Sequence, residues 1–459
     1  MSSEICPDNL LVIITRHFLT IPATGRKVHY RRCGSGPLLL MVHQSPRSSA
    51  EYSDLMQRWG EHFTCLAPDT PGFGQSDPLP ETNGHEPEID EFADALAEFA
   101  AALGVSRCAA YGFHSGGIIL VTALKRHPEL FSCLAVGGYA IWSEAEIALF
   151  GERYLPEWHP APYGEHLTWL WNRMLEQSWF FPWFDLRDEA RLSVAHADVT
   201  RVNQAVMEML DAGNAYRVGY GAVLRAPRDI PPVDGDVPPC LITAYDGDPL
   251  QAHIDRLGDM PEGWRAEKVS TPADHQAASL SFLKEHAGEA LCPDLAEDAN
   301  EGWLALDRGL IHWRGQRGGR LVLHPPAAEM GEPQAGEIAI DLPGHGLSDG
   351  FDDMRSAVLA TADALVSGSI DWSSLPPGDP AELYPDLTPD RYGTHLVKAW
   401  SAARAEALFE PWYAADKDHA IPLDPAAIGL AAIARRARAR LRAGKSAARW
   451  HAILAEQTP

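Results

Sequence analysis

The chain has 459 residues, 46% hydrophobic and 22% charged, enough for two or three domains with sizeable cores. Its formal net charge of −25 sets it against polyanions, so neither nucleic acid nor a membrane surface is an expected partner. Seven cysteines (Cys6, Cys33, Cys65, Cys108, Cys133, Cys240 and Cys292) form no CxxC pair, as expected of reduced thiols in a cytoplasmic protein.

The opening MSSEICPDNLLVIITRH lacks a basic n-region and a cleavage site, so no targeting segment is expected. Six strands are then predicted: LLLMVH (38–43), FTCLAPD (63–69), CAAYGF (108–113), CLAVGGY (133–139), CLITAYD (240–246) and WRAEKVS (264–270). Five are continuous apolar runs, which parallel strands covered on both faces require; the last is more polar and suits an edge. Between them lie helical patterns, clearest over 89–105, where Ile89, Phe92, Leu96, Phe99 and Leu103 share one face. This alternation predicts an α/β fold with a doubly wound, mostly parallel sheet. Residues 142–226 interrupt it with an aromatic-rich helical stretch, read as an inserted cap. A polar, acidic linker follows at 292–300, so the first domain is expected over 1–295.

After the linker the pattern begins again over 301–459. Val28-His29-Tyr30-Arg31 is matched by Ile311-His312-Trp313-Arg314, and DTPGFGQSD from Asp69 by DLPGHGLSD from Asp341. Tyr163-Gly164-Glu165-His166-Leu167 is matched by Tyr392-Gly393-Thr394-His395-Leu396. Trp171 and Trp400 each lie eight residues further on, and Pro182-Trp183 and Pro411-Trp412 nineteen further on. Coincidences at matching spacing mark an internal repeat. The step from Ser76 to Tyr163 is 87 residues but that from Ser348 to Tyr392 only 44, so the second copy is expected to lack the third strand of the first. Its cap-like region is placed at about 391–457, and the two caps are expected to pair within the chain about a local pseudo-two-fold axis.

Four motifs in the first copy bear on chemistry. His43-Gln44-Ser45-Pro46 follows the first predicted strand, and Asp69-Thr70-Pro71-Gly72-Phe73-Gly74-Gln75-Ser76-Asp77 the second. YGFHSGG, from Tyr111, places Ser115 on a strand-to-helix turn, with Gly117 two residues after it and Phe113 two before. Asp248 and His275 follow the last two predicted strands. Together these resemble the α/β-hydrolase family: an H-G-x-P-like loop, a D-x-P-G-x-G-x-S-D loop, a near nucleophile elbow, and an acid and a histidine in the order Ser, Asp, His. Gln44 and Phe113 depart from the family pattern, where small residues are usual.

The resemblance implies a serine hydrolase. Ser115 would attack, His275 would carry the proton, and Asp248 would orient His275, with Asp246 as the rival acid. The backbone N–H groups of Ser45 and Gly116 would hold the oxyanion. Tyr139, Trp142 and Phe113 are expected to line the substrate site, and no cofactor or metal is implied. Relatives that place an aspartate at the nucleophile position, the epoxide hydrolases and haloalkane dehalogenases, are not matched there. In the second copy Pro326 stands opposite Ser45 and has no N–H to offer. Features common to both copies, His43, Tyr163, His166, Trp171, Pro182 and Trp183, are read as scaffold. The expected substrate is a small-molecule carboxylic ester or lactone with an apolar or aromatic part. Amide or C–C bond hydrolysis, a ligand-binding protein with an inactive triad, and partner recruitment by the basic stretch 433–445 are the alternatives.

Overall fold

Two sheets organise the chain in the computed structural model, which describes residues 13–81, 84–227, 229–293 and 298–457. Cys6, most of the N-terminal stretch read for targeting, and linker residues 294–297 lie outside the described residues. The strands are β1 (Thr15–Thr20), β2 (Lys27–Cys33), β3 (Leu38–Val42), β4 (Thr64–Pro68), β5 (Cys108–Phe113), β6 (Phe131–Gly137), β7 (Cys240–Tyr245), β8 (Trp264–Val269), β9 (Glu301–Leu306), β10 (Gly309–Gly315), β11 (Arg320–Leu323), β12 (Glu337–Ile340) and β13 (Ile370–Asp371). The helices are α1 (Ser53–Trp59), α2 (Ile89–Ala102), α3 (Ser115–Arg126), α4 (Glu144–Phe150), α5 (Glu165–Gln177), α6 (Val199–Ala212), α7 (Ala215–Arg225), α8 (Pro272–His286), α9 (Met354–Leu365), α10 (Pro380–Leu383), α11 (Thr394–Glu406), α12 (Leu430–Ala443) and α13 (Lys445–Gln457).

These elements form two compact units. The first holds the described residues up to Leu155 and those from Ala215 to 293. The second holds 156–214 and the described residues from 298 onward. The expected cap at 142–226 is therefore divided: α4 and α7 belong to the first unit, α5 and α6 to the second.

The first unit carries an eight-stranded sheet in the order β1-β2-β4-β3-β5-β6-β7-β8. Both pairings of β2 are antiparallel, and all others are parallel. Every residue of β3 and β4 is buried, which is why they read as unbroken apolar runs. β8, at the edge, is mostly exposed or half-exposed. One face of the sheet packs a cluster that includes Tyr52, Trp59, Tyr111, Phe282 and Leu283. Helix α2 starts in a reciprocal capping pair, Glu88 with Glu91, and buries Ile89, Phe92, Leu96 and Phe99.

The second unit has a five-stranded sheet in the order β13-β11-β12-β10-β9. Its pairing directions repeat those of β5-β3-β4-β2-β1: β10 is antiparallel to β9 and β12, and β11 is parallel to β12 and β13. The expectation that this unit lacks a strand where the first has β5 is corrected, because the two-residue β13 stands there. Hydrogen bonds recur as well. His29 N–H donates to Ser76 Oγ and His312 N–H to Ser348 Oγ, each at 2.9 Å. His29 Nδ1 lies 2.8 Å from Asp69 and His312 Nδ1 2.8 Å from Asp341. Trp450 and Leu454 of α13 complete the core of this sheet.

Within the second unit α5 packs against α11 through reciprocal contacts. Trp171 Nε1–H donates to the carbonyl of Arg391 at 3.3 Å, and Trp400 Nε1–H to the carbonyl of Pro162 at 3.2 Å. The ring of His395 meets Trp171 edge-on at 5.3 Å, and that of His166 meets Trp400 at 4.7 Å. Gly393 and Gly164, at the starts of α11 and α5, have φ of 69° and 83°. A Cβ on Gly393 would lie 2.5 Å from Trp171 Cγ, and one on Gly164 3.1 Å from Trp400. Gly393→Ala is therefore expected to cost at least about 2 kcal/mol, and Gly164→Ala less. Chemical denaturation of both variants checks this; the reverse order would mean that the two helix starts do not set the approach of the indoles.

Candidate active site

β5 ends at Phe113 and α3 begins at Ser115, so one residue, His114, turns the chain. His114 has φ 49° and ψ −114°, a region that residues with a side chain rarely enter. Close packing holds it there. A Cβ on Gly112 would stand 2.8 Å from the backbone of Gly116, one on Gly116 1.9 Å from the Val42 carbonyl oxygen, and one on Gly117 2.4 Å from Val136 Cγ1. Small residues are thus required two before, two after and three after His114. This is a strand–turn–helix elbow with His114 at its tip. The expectation that Ser115 occupies the tip is corrected by one residue, and Phe113 is no longer anomalous, since it precedes the tip.

The imidazole of His114 reaches Asp248, the acid expected in the loop after β7. Its Nε2 lies 3.1 and 3.2 Å from the two carboxylate oxygens of Asp248. The Asp248 side chain is fully buried, whereas that of His114 is 24% exposed. Leu250 N–H also donates to Asp248 Oδ1, at 2.8 Å. Burial alone would raise the Asp248 pKa, but His114, the Leu250 N–H and the nearby His275 hold it below the usual carboxylate range. An ionised Asp248 assigns the His114 proton to Nε2 and leaves the lone pair on Nδ1. The ring is held from its face by Phe113, stacked at 4.1 Å and 21°, and Phe113 in turn lies parallel to Tyr245 at 6.2 Å.

Ser115 is buried, and its Oγ accepts the N–H of Ser45 at 2.5 Å. The loop residue Ser45 thus meets the elbow, as its place after His43 suggested. With the tip at His114, the adjoining backbone N–H is that of Ser115, one residue before the expected Gly116. Gln44, which replaces the family glycine, uses its side chain and its backbone N–H to hold Glu51, at 2.5 and 3.1 Å.

His275 is not in a loop. α8 begins at Pro272, capped by Thr271, and His275 faces inward at the end of its first turn. Its Nε2 lies 2.9 Å from the Tyr111 hydroxyl and its Nδ1 2.5 Å from Thr243 Oγ1. Burial pushes its pKa down to about 4. Among the described residues no hydrogen bond joins His275 to Ser115 or to Asp248. The expected Ser115–His275–Asp248 relay is therefore not assembled: both nitrogens of His275 are engaged inside the core, and Asp248 meets His114 instead. Asp246, the rival acid, accepts from the side chain of Gln251 at 2.7 Å.

The aromatic residues expected at the substrate site are spread out. Phe113 lies against His114. Tyr139 is buried with its hydroxyl on the Asp229 carbonyl at 3.0 Å, and Trp142 packs edge-on against Phe150 and His253. Among the described residues no group of His, Cys, Asp and Glu side chains suits a metal ion, and no helix is long and apolar enough to cross a membrane.

A buried neutral histidine makes stability depend on pH. As pH falls from 6.5 toward 4, the unfolded chain takes up a proton that folded His275 refuses, so its contribution, complete above 6.5, is lost over that interval. The loss is expected to reach up to about 3 kcal/mol. Urea denaturation of the wild type and of His275→Gln at pH 7 and 4.5 checks this. The variant is expected to lose less stability between the two, and equal losses would mean that the imidazole is solvated.

Residues 37–148 match the family model described as alpha/beta hydrolase fold. Haloalkane dehalogenase 2 of Mycobacterium tuberculosis strain H37Rv is 30% identical over 149 residues, 32% of this chain and 50% of that protein. The 2-(acetamidomethylene)succinate hydrolase of Mesorhizobium japonicum is 33% identical over 119 residues, 26% of this chain and 41% of that one. The chain thus spans about half or less of the curated relatives it matches. Epoxide Hydrolase A from Mycobacterium thermoresistibile aligns with a TM-score of 0.45 at 17% identity, covering 61% of this chain and all of that one. The strand order, the elbow and the matched segment agree: the first unit of this chain has the alpha/beta hydrolase fold.

Proposed function

We propose that this protein is a hydrolase in which His114, held by Asp248, is the reacting base, and that its substrate is a carboxylic ester or lactone with an apolar or aromatic part. The observation that carries this reading is the placement of His114 at the elbow tip with Nε2 on a buried carboxylate. The similar proteins named above carry different activities on one fold, so the reaction is read from the residues at the tip.

In this reading His114 Nδ1 takes a proton from a water molecule, and the resulting hydroxide attacks the carbonyl carbon. Asp248 stabilises the imidazolium that forms. The backbone N–H of Ser115 and the linked pair of Ser45 N–H and Ser115 hydroxyl stabilise the oxyanion. The imidazolium then returns the proton to the departing alkoxide, leaving the acid and the alcohol. A second reading keeps Ser115 as the nucleophile of an acyl-enzyme. Its support is the Ser45 N–H on Ser115 Oγ, and it requires a base to reach that oxygen.

We further propose that residues 301–459 are a degenerate, non-catalytic copy of the first domain, and that the caps of the two copies pair within the chain. The matching strand order and the recurrent His29/His312 and Trp171/Trp400 contacts support this. So do the isolated bridges Phe180 to Arg191 and Phe409 to Ala420, which stand at the same repeat offset. The six described cysteines are free thiols, which supports a cytoplasmic location.

Turnover of a panel of p-nitrophenyl esters and aryl lactones by the full chain tests the function. His114→Ala and Asp248→Asn are expected to lower kcat/KM by about 100-fold or more and Ser115→Ala by about tenfold. Treatment with a fluorophosphonate is expected to leave Ser115 unmodified in intact-mass measurements. An adduct on Ser115, with activity surviving in His114→Ala, would replace this reading with the serine one. Tight binding of panel members without turnover would make the protein a binding module on a hydrolase scaffold.

A further inference from the structure

Helix α12 carries five arginines and no acidic residue, in a chain whose net charge is −25. Three of the five lie against carboxylates: Arg435 is 3.5 Å from Glu329, Arg440 pairs with Glu406 at 3.1 Å, and Arg442 pairs with Asp211 at 2.5 Å. Arg436 donates to the Ala427 carbonyl at 2.8 Å. Arg438, like Arg436, is held by a carbonyl. It donates to the Leu210 carbonyl at 2.9 Å and has no carboxylate partner among the described residues. The charged groups near it are Asp211, Glu329, Arg435 and Arg442, so three guanidiniums share two carboxylates.

Arg438 lines a groove of about 350 Å³ in the second unit, together with Trp158, His166, Leu210, Trp400 and Arg435. That volume lies within the range of small-molecule sites. One wall is aromatic: the His166 ring lies parallel to Trp158 at 5.9 Å and edge-on to Trp400 at 4.7 Å. Burial keeps His166 neutral, with its pKa near 4, so it adds no second cation. Ala431, Ala434 and Ala437 of α12 leave room along the floor. In the repeat register the counterparts of Trp158 and Arg438 are Leu387 and Met207, so that indole and that cation belong to one side of the α5–α11 pair alone.

We propose that this groove binds a small carboxylate with an apolar or aromatic body, its carboxylate on Arg438 and its body against the aromatic wall of Trp158, His166 and Trp400. The Arg438 guanidinium, which shares Asp211 and Glu329 with Arg435 and Arg442 and makes its own hydrogen bond to a carbonyl, supplies the anion partner, and its planar fork suits a carboxylate. The indoles and alanines supply an apolar slot. The site is independent of the reaction at His114.

Isothermal titration of the full chain with phenylacetate, and with phenylacetamide as its neutral isostere, tests the proposal. Phenylacetate is expected to bind at least tenfold more tightly, in wild type and in His114→Ala alike. Arg438→Gln is expected to abolish that preference, and Arg438→Lys to keep most of it. Ala434→Phe, which fills the groove without touching the charge, is expected to weaken both probes. Circular dichroism confirms that each variant is folded, and should Arg438→Gln not fold, the Lys and Phe variants decide. Equal binding of the two probes, loss of binding in His114→Ala, unaltered affinity in Ala434→Phe, or no binding at millimolar concentration would each overturn the proposal.

Discussion

One backbone crossing decides where the His114 side chain can stand. Gly116 passes so near the Val42 carbonyl oxygen that even a methyl group there would overlap it. With Gly112 and Gly117 equally hemmed in, the chain between β5 and α3 has only one residue in which to reverse, and that residue takes a positive φ. The strain is borne by a scaffold buried on both sides, which is how a sparsely populated conformation persists at all. The position of His114 over the sheet edge, its contact with Asp248 and the stacking of Phe113 all follow from that crossing.

Much of this was legible in the sequence. Unbroken apolar runs betray strands covered on both faces, and all six predicted strands are present within one or two residues. β1 and β2 escaped because their antiparallel pairing allows polar residues to interleave, as in Lys27-Val28-His29-Tyr30-Arg31-Arg32-Cys33. The sequence marks the elbow but points one residue past its tip. A serine beside glycines is a familiar signal that centres the motif on Ser115 and makes Phe113 an exception. The spacing of Gly112 and Gly116 about His114 was already present, and it removes the exception. Chain position did not reveal His275 either: a histidine after the last strand suits a loop, but Pro272 and the Thr271 cap start α8 early and turn the imidazole into the core.

The two histidines show how differently the fold can set one residue type. His275 has both nitrogens satisfied by the neutral hydroxyls of Tyr111 and Thr243, an arrangement that favours an uncharged ring and adds to the packing of the sheet. His114 has one nitrogen on a carboxylate and a quarter of its side chain in reach of solvent. Proximity to hydroxyls or to a carboxylate, rather than sequence position, distinguishes the settings of the two rings.

The reciprocal bonds of Trp171 and Trp400 join segments of a single polypeptide. Between separate chains such a contact obeys mass action: dilution dissolves it, and excess of one partner saturates it. Here the two halves meet at an effective concentration set by the intervening residues alone. The pairing is therefore indifferent to how much protein a cell makes. Each half is also released from the need to be self-complementary, and the two sides do differ: α12 carries five arginines and α6 only Arg201.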